Sequence, residues 1–178
     1  TRNEEQYSLK ARKGFLRLFT RKEKIEDKTN TSYLGIRQKD YCFEVRTGLE
    51  FTPANNESAG LVYYQNHENH LRMEIKKKGS SNMFYVVEHI KGISNIISGT
   101  EIGKGMAEII LRAENQKASV YIKTEGEQKL AAENINLLPY TTEEAGGFVG
   151  CTAGMYASSN GENSSNYADF AWLSYDAV

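Results

Sequence analysis

Short runs of strict apolar–polar alternation, broken at regular intervals by turn-forming residues, constrain this chain more than any other feature. In Asp40-Tyr41-Cys42-Phe43-Glu44-Val45-Arg46-Thr47 the large apolar residues Tyr41, Phe43 and Val45 fall on one face, Glu44 and Arg46 on the other. Successive side chains of an extended strand point to opposite faces, so the pattern specifies a half-buried strand. Residues 71–76 repeat it, with Leu71, Met73 and Ile75 inward. Residues 59–66, rich in tyrosine, and residues 83–89 read as two more strands. Residues 106–114 and 118–124 flank Asn115-Gln116-Lys117 and read as a hairpin. The end of the chain reads as a glycine-rich turn, a strand, a mobile loop of Ser, Asn and Gly, and a last strand. In that last strand alternation places Phe170 and Trp172 together in the core, in the same sandwich as a first strand over residues 15–19.

No window of helical length carries a sustained apolar stripe. One short helical turn is expected near residues 141–144, where Thr141 and Glu144 have capping-box spacing. Both prolines, Pro53 and Pro139, fall in loops by this reading. Many short strands at even spacing make the chain all-β, a two-sheet antiparallel β-sandwich.

A length of 178 residues fits one domain that buries about 70% of its unfolded surface. Residues 1–6 are polar and read as a linker remnant, and residues 7–178 as a single β-sandwich domain. The start at Thr1 rather than Met adds to the reading of a piece of something longer. Lys and Arg number 22 against 23 Asp and Glu, so the net charge of −1 gives no pull toward nucleic acid or an anionic membrane. No apolar run is long enough to span a bilayer, and no signal peptide is seen. Cys42 and Cys151 are too few for a disulfide scaffold. They either bridge two neighbouring strands or, the plainer reading, stay free.

The motifs that could carry chemistry resolve into turns. His67-Glu68-Asn69-His70 has its histidines three apart, where a helical zinc site needs four, and it joins two strands. Residues 99–105, Gly-Thr-Glu-Ile-Gly-Lys-Gly, lack phosphate-loop spacing and a following helix, and read as a turn. Lys76, Lys77 and Lys78 form a basic triplet without interleaved aromatics, a solvated turn. The pairs Glu143-Glu144 and Glu125 with Glu127 sit in turns, with nothing to place them across a cleft as a glycosidase acid and partner. No catalytic residue, metal ligand or cofactor site is assigned. In Gly146-Gly147-Phe148-Val149-Gly150, glycines bracket a large aromatic. Such a ring either folds back onto the core or contacts something else.

Five segments together carry a resemblance. They are Tyr7-Ser8-Leu9 with Gly14-Phe15-Leu16-Arg17-Leu18; Leu34-Gly35-Ile36-Arg37-Gln38; Ala59-Gly60-Leu61-Val62-Tyr63-Tyr64-Gln65-Asn66; Gly147-Phe148-Val149-Gly150; and Ala168-Asp169-Phe170. In this order and spacing the chain resembles the C-terminal β-sandwich, a concanavalin A-like jelly roll, of family 43 glycoside hydrolases of the β-xylosidase type. The resemblance implies a parent enzyme whose N-terminal five-bladed β-propeller holds three catalytic carboxylates. It implies xylo- or arabino-oligosaccharide as substrate, and a loop from the sandwich that reaches the substrate pocket. Phe148 matches the family's pocket-lining phenylalanine and is the one substrate-binding residue expected here. The family pattern "ADFDWF" has a second acid where this chain has Ala171, so a metal or hydrogen bond that relied on that acid has no counterpart. The alternative reading is a free-standing, lectin-like carbohydrate-binding module.

Overall fold

The computed structural model describes residues 6–147 and 149–178. In chain order the strands of the first half are β1 (Tyr7–Ser8), β2 (Leu16–Phe19), β3 (Ser32–Arg37), β4 (Cys42–Glu50), β5 (Ser58–Asn66), β6 (Asn69–Lys78) and β7 (Ser81–Ile90). Then follow β8 (Ile93–Ile102), β9 (Met106–Glu114), β10 (Lys117–Thr124), β11 (Glu127–Asn136), a 3-10 turn (Leu138–Tyr140), the one-turn helix α1 (Thr142–Ala145), β12 (Thr152–Ser158) and β13 (Tyr167–Ala177). They form a seven-stranded sheet in the order β1-β2-β13-β4-β9-β10-β11 and a six-stranded sheet in the order β3-β12-β5-β6-β7-β8. Every pairing is antiparallel. The chain is therefore the all-β, two-sheet antiparallel sandwich that the alternation specifies.

Two-residue turns link β5 to β6, β6 to β7, β7 to β8, β9 to β10 and β10 to β11. At Lys91-Gly92 and Glu125-Gly126 both turn residues have positive φ, between 51° and 82°. That is the twist of a type I′ turn, which matches the twist of the strands it joins. The closing strands do the long-range work. β13 slots between β2 and β4, and β12 between β3 and β5, so the end of the chain ties its beginning to its middle.

Both sheets turn their apolar faces inward. Phe43, Val45 and Leu49 of β4, Leu71, Met73 and Ile75 of β6, and Ile109 and Leu111 of β9 are all buried there. A second, smaller cluster lies on the outer face of the six-stranded sheet. There Ile25, from the segment between β2 and β3, covers Val62 and Tyr156, flanked by Tyr33 and Tyr64.

Several expectations are corrected. Tyr41 does not join Phe43 and Val45: β4 begins at Cys42, and the Tyr41 side chain stands 83% exposed in the preceding loop. Trp172 does not share the core with Phe170. Phe170 pairs with Leu49, but Trp172 pairs with Gly48, so Ala171 is an extra residue in a β-bulge. One extra residue reverses the facing of everything after it. Phe170 is 1% exposed, Trp172 is 42% exposed on the outer surface, and Leu173 and Tyr175 now pack against the core. The indole lies over Gly48, where a Cβ would stand 2.8 Å from its Nε1.

Residues 99–102 belong to β8, and only 103–105 form the turn. Lys76, Lys77 and Lys78 likewise belong to β6, the turn being Gly79-Ser80 alone. Pro139 lies in the 3-10 turn rather than in a loop. Helix α1 forms where expected, but Thr141 does not cap it: its hydroxyl donates to the Leu138 carbonyl at 2.9 Å. The loop between β12 and β13 is pinned by side-chain bonds. Ser164 donates to Glu57 at 2.6 Å and Asn166 to the Thr52 carbonyl at 3.0 Å.

Candidate functional site

The glycine-rich segment is bonded to the sandwich on either side of Phe148. On the upstream side α1 ends when the Gly146 N–H donates to Thr142 O at 3.0 Å. Gly146 and Gly147 follow at φ 74° and 93°, the left-handed region that favours glycine. The Asn66 and Gln65 amides donate to the Ala145 and Gly146 carbonyls, each at 3.3 Å, and moor this stem to β5. On the downstream side the Gln38 N–H donates to Cys151 O at 2.9 Å, and the buried Cys151 thiol donates to Tyr140 O at 2.9 Å. Gly147, Val149 and Gly150 are exposed. Phe148, the expected site residue, lies outside the described residues.

Beside this turn opens a cleft of about 640 Å³ at one end of the sandwich. Its walls are the 38–41 loop, the Asn115-Gln116 turn and the 137–144 segment, and Gly150 and Cys151 complete it. The 38–41 loop is rigidly held. The Lys39 and Asp40 N–H groups both donate to the Tyr175 hydroxyl at 3.0 Å. The Gln38 amide donates to Asp40 O at 2.9 Å, and the Asn115 N–H to Tyr41 O at 3.0 Å. Below lies an aromatic ladder. Tyr140 meets Tyr63 edge-on at 5.9 Å, Tyr63 stacks on Phe43 at 6.1 Å, and Phe43 on Tyr175 at 5.4 Å.

The Tyr63 hydroxyl donates to Gln38 Oε1 at 2.6 Å. Burial pushes the Tyr63 and Tyr140 phenols and the Cys151 thiol up from their ordinary pKa values. All three stay protonated near neutrality; Tyr63 and Cys151 act as hydrogen-bond donors, and Tyr140 as a packing group whose buried hydroxyl has no partner among the described residues. Cys42 and Cys151 are both free thiols. The rim carries Asp40, Glu143 and Glu144 against Lys39, a net charge of 1 − 3 = −2. Glu125 and Glu127 lie at the β10–β11 turn, while the β9–β10 turn beside the cleft sits at the other end of β10. The two acid pairs are therefore not brought together. Among the described residues no group of three or more His, Cys, Asp or Glu is arranged to hold a metal ion.

Two polar constellations escape a reading by sequence. Asp169, 3% exposed, takes two bonds from Arg17, at 2.7 and 2.9 Å, and one from Arg12 at 3.3 Å. Arg12 in turn bonds Glu50 at 2.8 Å. Although desolvation opposes ionisation, the bonds from the two arginines hold the Asp169 carboxyl below its usual range. The acid of Ala168-Asp169-Phe170 is thus a clamp between β2, β13 and β4. On the outer face of the six-stranded sheet His70 stacks on His89 at 4.4 Å, with Arg72 Nη1 3.4 Å from His70 Nε2. His70 belongs to the segment read as a polar hairpin, and the turn there is only His67-Glu68. The signal for Asp169 and Arg17 is their position on the polar side of two strands, but only the register, Asp169 opposite Arg17, makes them a pair.

Comparison with known proteins places this geometry. A family model described as the β-xylosidase C-terminal concanavalin A-like domain matches residues 1–176. The chain is 52% identical over 178 residues to a xylosidase/arabinosidase of Butyrivibrio fibrisolvens, covering 99% of this chain and 34% of that protein. It is 26% identical over 171 residues to a non-reducing end α-L-arabinofuranosidase of Bacteroides ovatus, covering 95% of this chain and 32% of that one. Among solved structures a GH43 protein from Bacillus licheniformis superposes with a TM-score of 0.91 at 25% identity, covering 100% of this chain and 36% of that chain. The chain thus spans about a third of the length of these relatives.

Proposed function

The chain belongs to the β-xylosidase C-terminal concanavalin A-like domain family of the family 43 glycoside hydrolases, and from that premise we propose that it is an accessory domain completing the substrate pocket of such an enzyme. The parent polypeptide carries the catalytic carboxylates in an N-terminal five-bladed propeller. The sandwich stabilises that propeller and contributes Phe148 on its 146–150 turn. The reaction is hydrolysis of terminal β-xylosyl or α-arabinosyl units with inversion. One carboxylic acid protonates the leaving oxygen and a second carboxylate activates water.

The observation that carries this reading is the turn itself. Both its stems are bonded to the sandwich, while Gly147, Val149 and Gly150 are exposed beside a cleft. A turn anchored in this way can hold a side chain out toward a second domain with little loss of position. The name of the 52% identical relative, a xylosidase/arabinosidase, supports both sugars.

The test is Phe148→Ala, read by a melting curve on the 178-residue chain and by kinetics on the parent enzyme. If Phe148 walls the pocket, the chain's stability hardly changes. The parent then loses turnover or substrate binding, because the open wall admits water and loosens positioning. If the ring is ordinary core, stability falls by about 3–5 kcal/mol and kinetics per folded molecule stay unchanged. That second result would leave the chain a structural domain.

A further inference from the structure

The cleft at the sandwich end presents an aromatic that neither the core nor the 146–150 turn accounts for. Tyr41 is 83% exposed, on a loop tied down by hydrogen bonds. Two backbone N–H groups of that loop bond the Tyr175 hydroxyl, and Tyr41's own carbonyl accepts from Asn115. Tyr175 is anchored in its turn by stacking on the buried Phe43. The backbone beneath the ring is therefore held by the fold. A tyrosine has only two side-chain torsions to fix, so a ligand that lies against it orders it at low entropy cost.

The surroundings define what that ligand is. The cleft's volume of about 640 Å³ is that of a small-molecule site. Lining the same cleft are the exposed Asn115 and Gln116 amides, which donate and accept hydrogen bonds, and the Glu143 and Glu144 carboxylates, which accept them. A flat aromatic beside amides and carboxylates suits a molecule with apolar ring faces and a periphery of hydroxyls. The rim's net charge of −2, from Asp40, Glu143 and Glu144 against Lys39, disfavours an anion.

We propose that this cleft is a binding site for a short neutral oligosaccharide, with Tyr41 as its stacking platform. The site selects against acidic sugars. The choice of pentose chains as its ligand rests on the functional reading above, but binding here needs no catalytic partner.

The test is an NMR titration of the 178-residue chain with linear β-1,4-xylotriose and with the same trisaccharide bearing a glucuronic acid. The neutral sugar is expected to shift signals of residues 39–41, 115–116 and 142–144, and the acidic one to bind more weakly. Tyr41→Ala should weaken binding about tenfold or more, the scale of losing roughly 1.4 kcal/mol of contact. Tyr41→Phe, which keeps the ring, should restore it, and both variants should melt like the parent chain because the ring is outside the core. Trp172→Ala, which removes an exposed ring outside the cleft lining, should leave this binding unchanged, and because the chain is titrated without the catalytic part the outcome is separate from the fate of the pocket-wall reading. No shifts with either sugar, shifts that map elsewhere, or binding that survives Tyr41→Ala would each overturn the proposal. So would a Tyr41→Ala variant that binds the sugar normally but no longer associates with the catalytic part of the parent, which would make the cleft a protein interface.

Discussion

At the scale of single residues the account turns on which way a ring points. Phe170 is sealed in the core and Trp172, two residues later, lies on the surface over Gly48. Phe170→Ala should cost about 3–5 kcal/mol, as core aromatic truncations do. Trp172→Ala should cost far less, since the indole is 42% exposed. Trp172 is the chain's one tryptophan, so its emission reports this directly. Fluorescence is expected to be red-shifted and readily quenched by acrylamide. A blue-shifted, protected emission, or equal stability losses for the two variants, would contradict the bulge. Period-2 alternation makes Phe43, Val45, Leu71, Met73 and Ile75 legible as core residues. It fails at Trp172 because a bulge changes the count by one, and no residue type announces that. It fails at Tyr41 because the strand starts one residue later, where bonds from the distant Tyr175 hold the loop.

At the scale of elements, the cross-strand stack of His70 on β6 against His89 on β7 makes a pH prediction. The two are direct partners in the register, and Arg72 lies beside them, held in turn by Glu26 at 3.1 Å. Burial first, then the neighbouring Arg72, hold His70 down to a pKa of about 3, and His89 is lowered for the same reasons. An unfolded histidine titrates near 6.5. Between those values the unfolded chain binds more protons than the folded one. The stabilisation is therefore complete above about pH 6.5 and is lost as the pH falls below it, by about 1.4 kcal/mol per pH unit for His70, with His89 acting in the same direction. The unfolding free energy should drop steeply from pH 7 to pH 5, and His70→Gln should flatten that slope. An unchanged slope would mean that His70 titrates alike in the folded and unfolded chain. Hairpin elements with a buried face, such as β5–β6 and β9–β10, are readable from sequence. β8 and β11 are not, because both are edge strands at the limits of their sheets. β8 is mostly exposed, and its pairing to β7 slips between Val86 and Val87, so no single period runs through it.

At the scale of the whole molecule, the sandwich closes by bringing β12 and β13 between strands from the first third of the chain. Two-sheet architecture was legible from the number and spacing of strands, but these insertions are long-range pairings that local pattern does not encode. The same closure forms the cleft. The 38–41 loop, the β9–β10 turn and the 137–144 segment are far apart in sequence and meet only at one end of the folded sandwich. The glycine-bracketed turn was visible as a motif, whereas Tyr41 as a displayed ring was not.

The pocket-completing role proposed for this domain is tested by producing the upstream part of the parent and the 178-residue chain separately and assaying aryl β-xyloside hydrolysis by each alone and by the mixture. The account predicts no turnover by the chain alone, little by the upstream part, and restored turnover on mixing, with a Phe148→Ala chain that still assembles but does not restore it. Full turnover by the upstream part alone, unaffected by adding the chain, would contradict it.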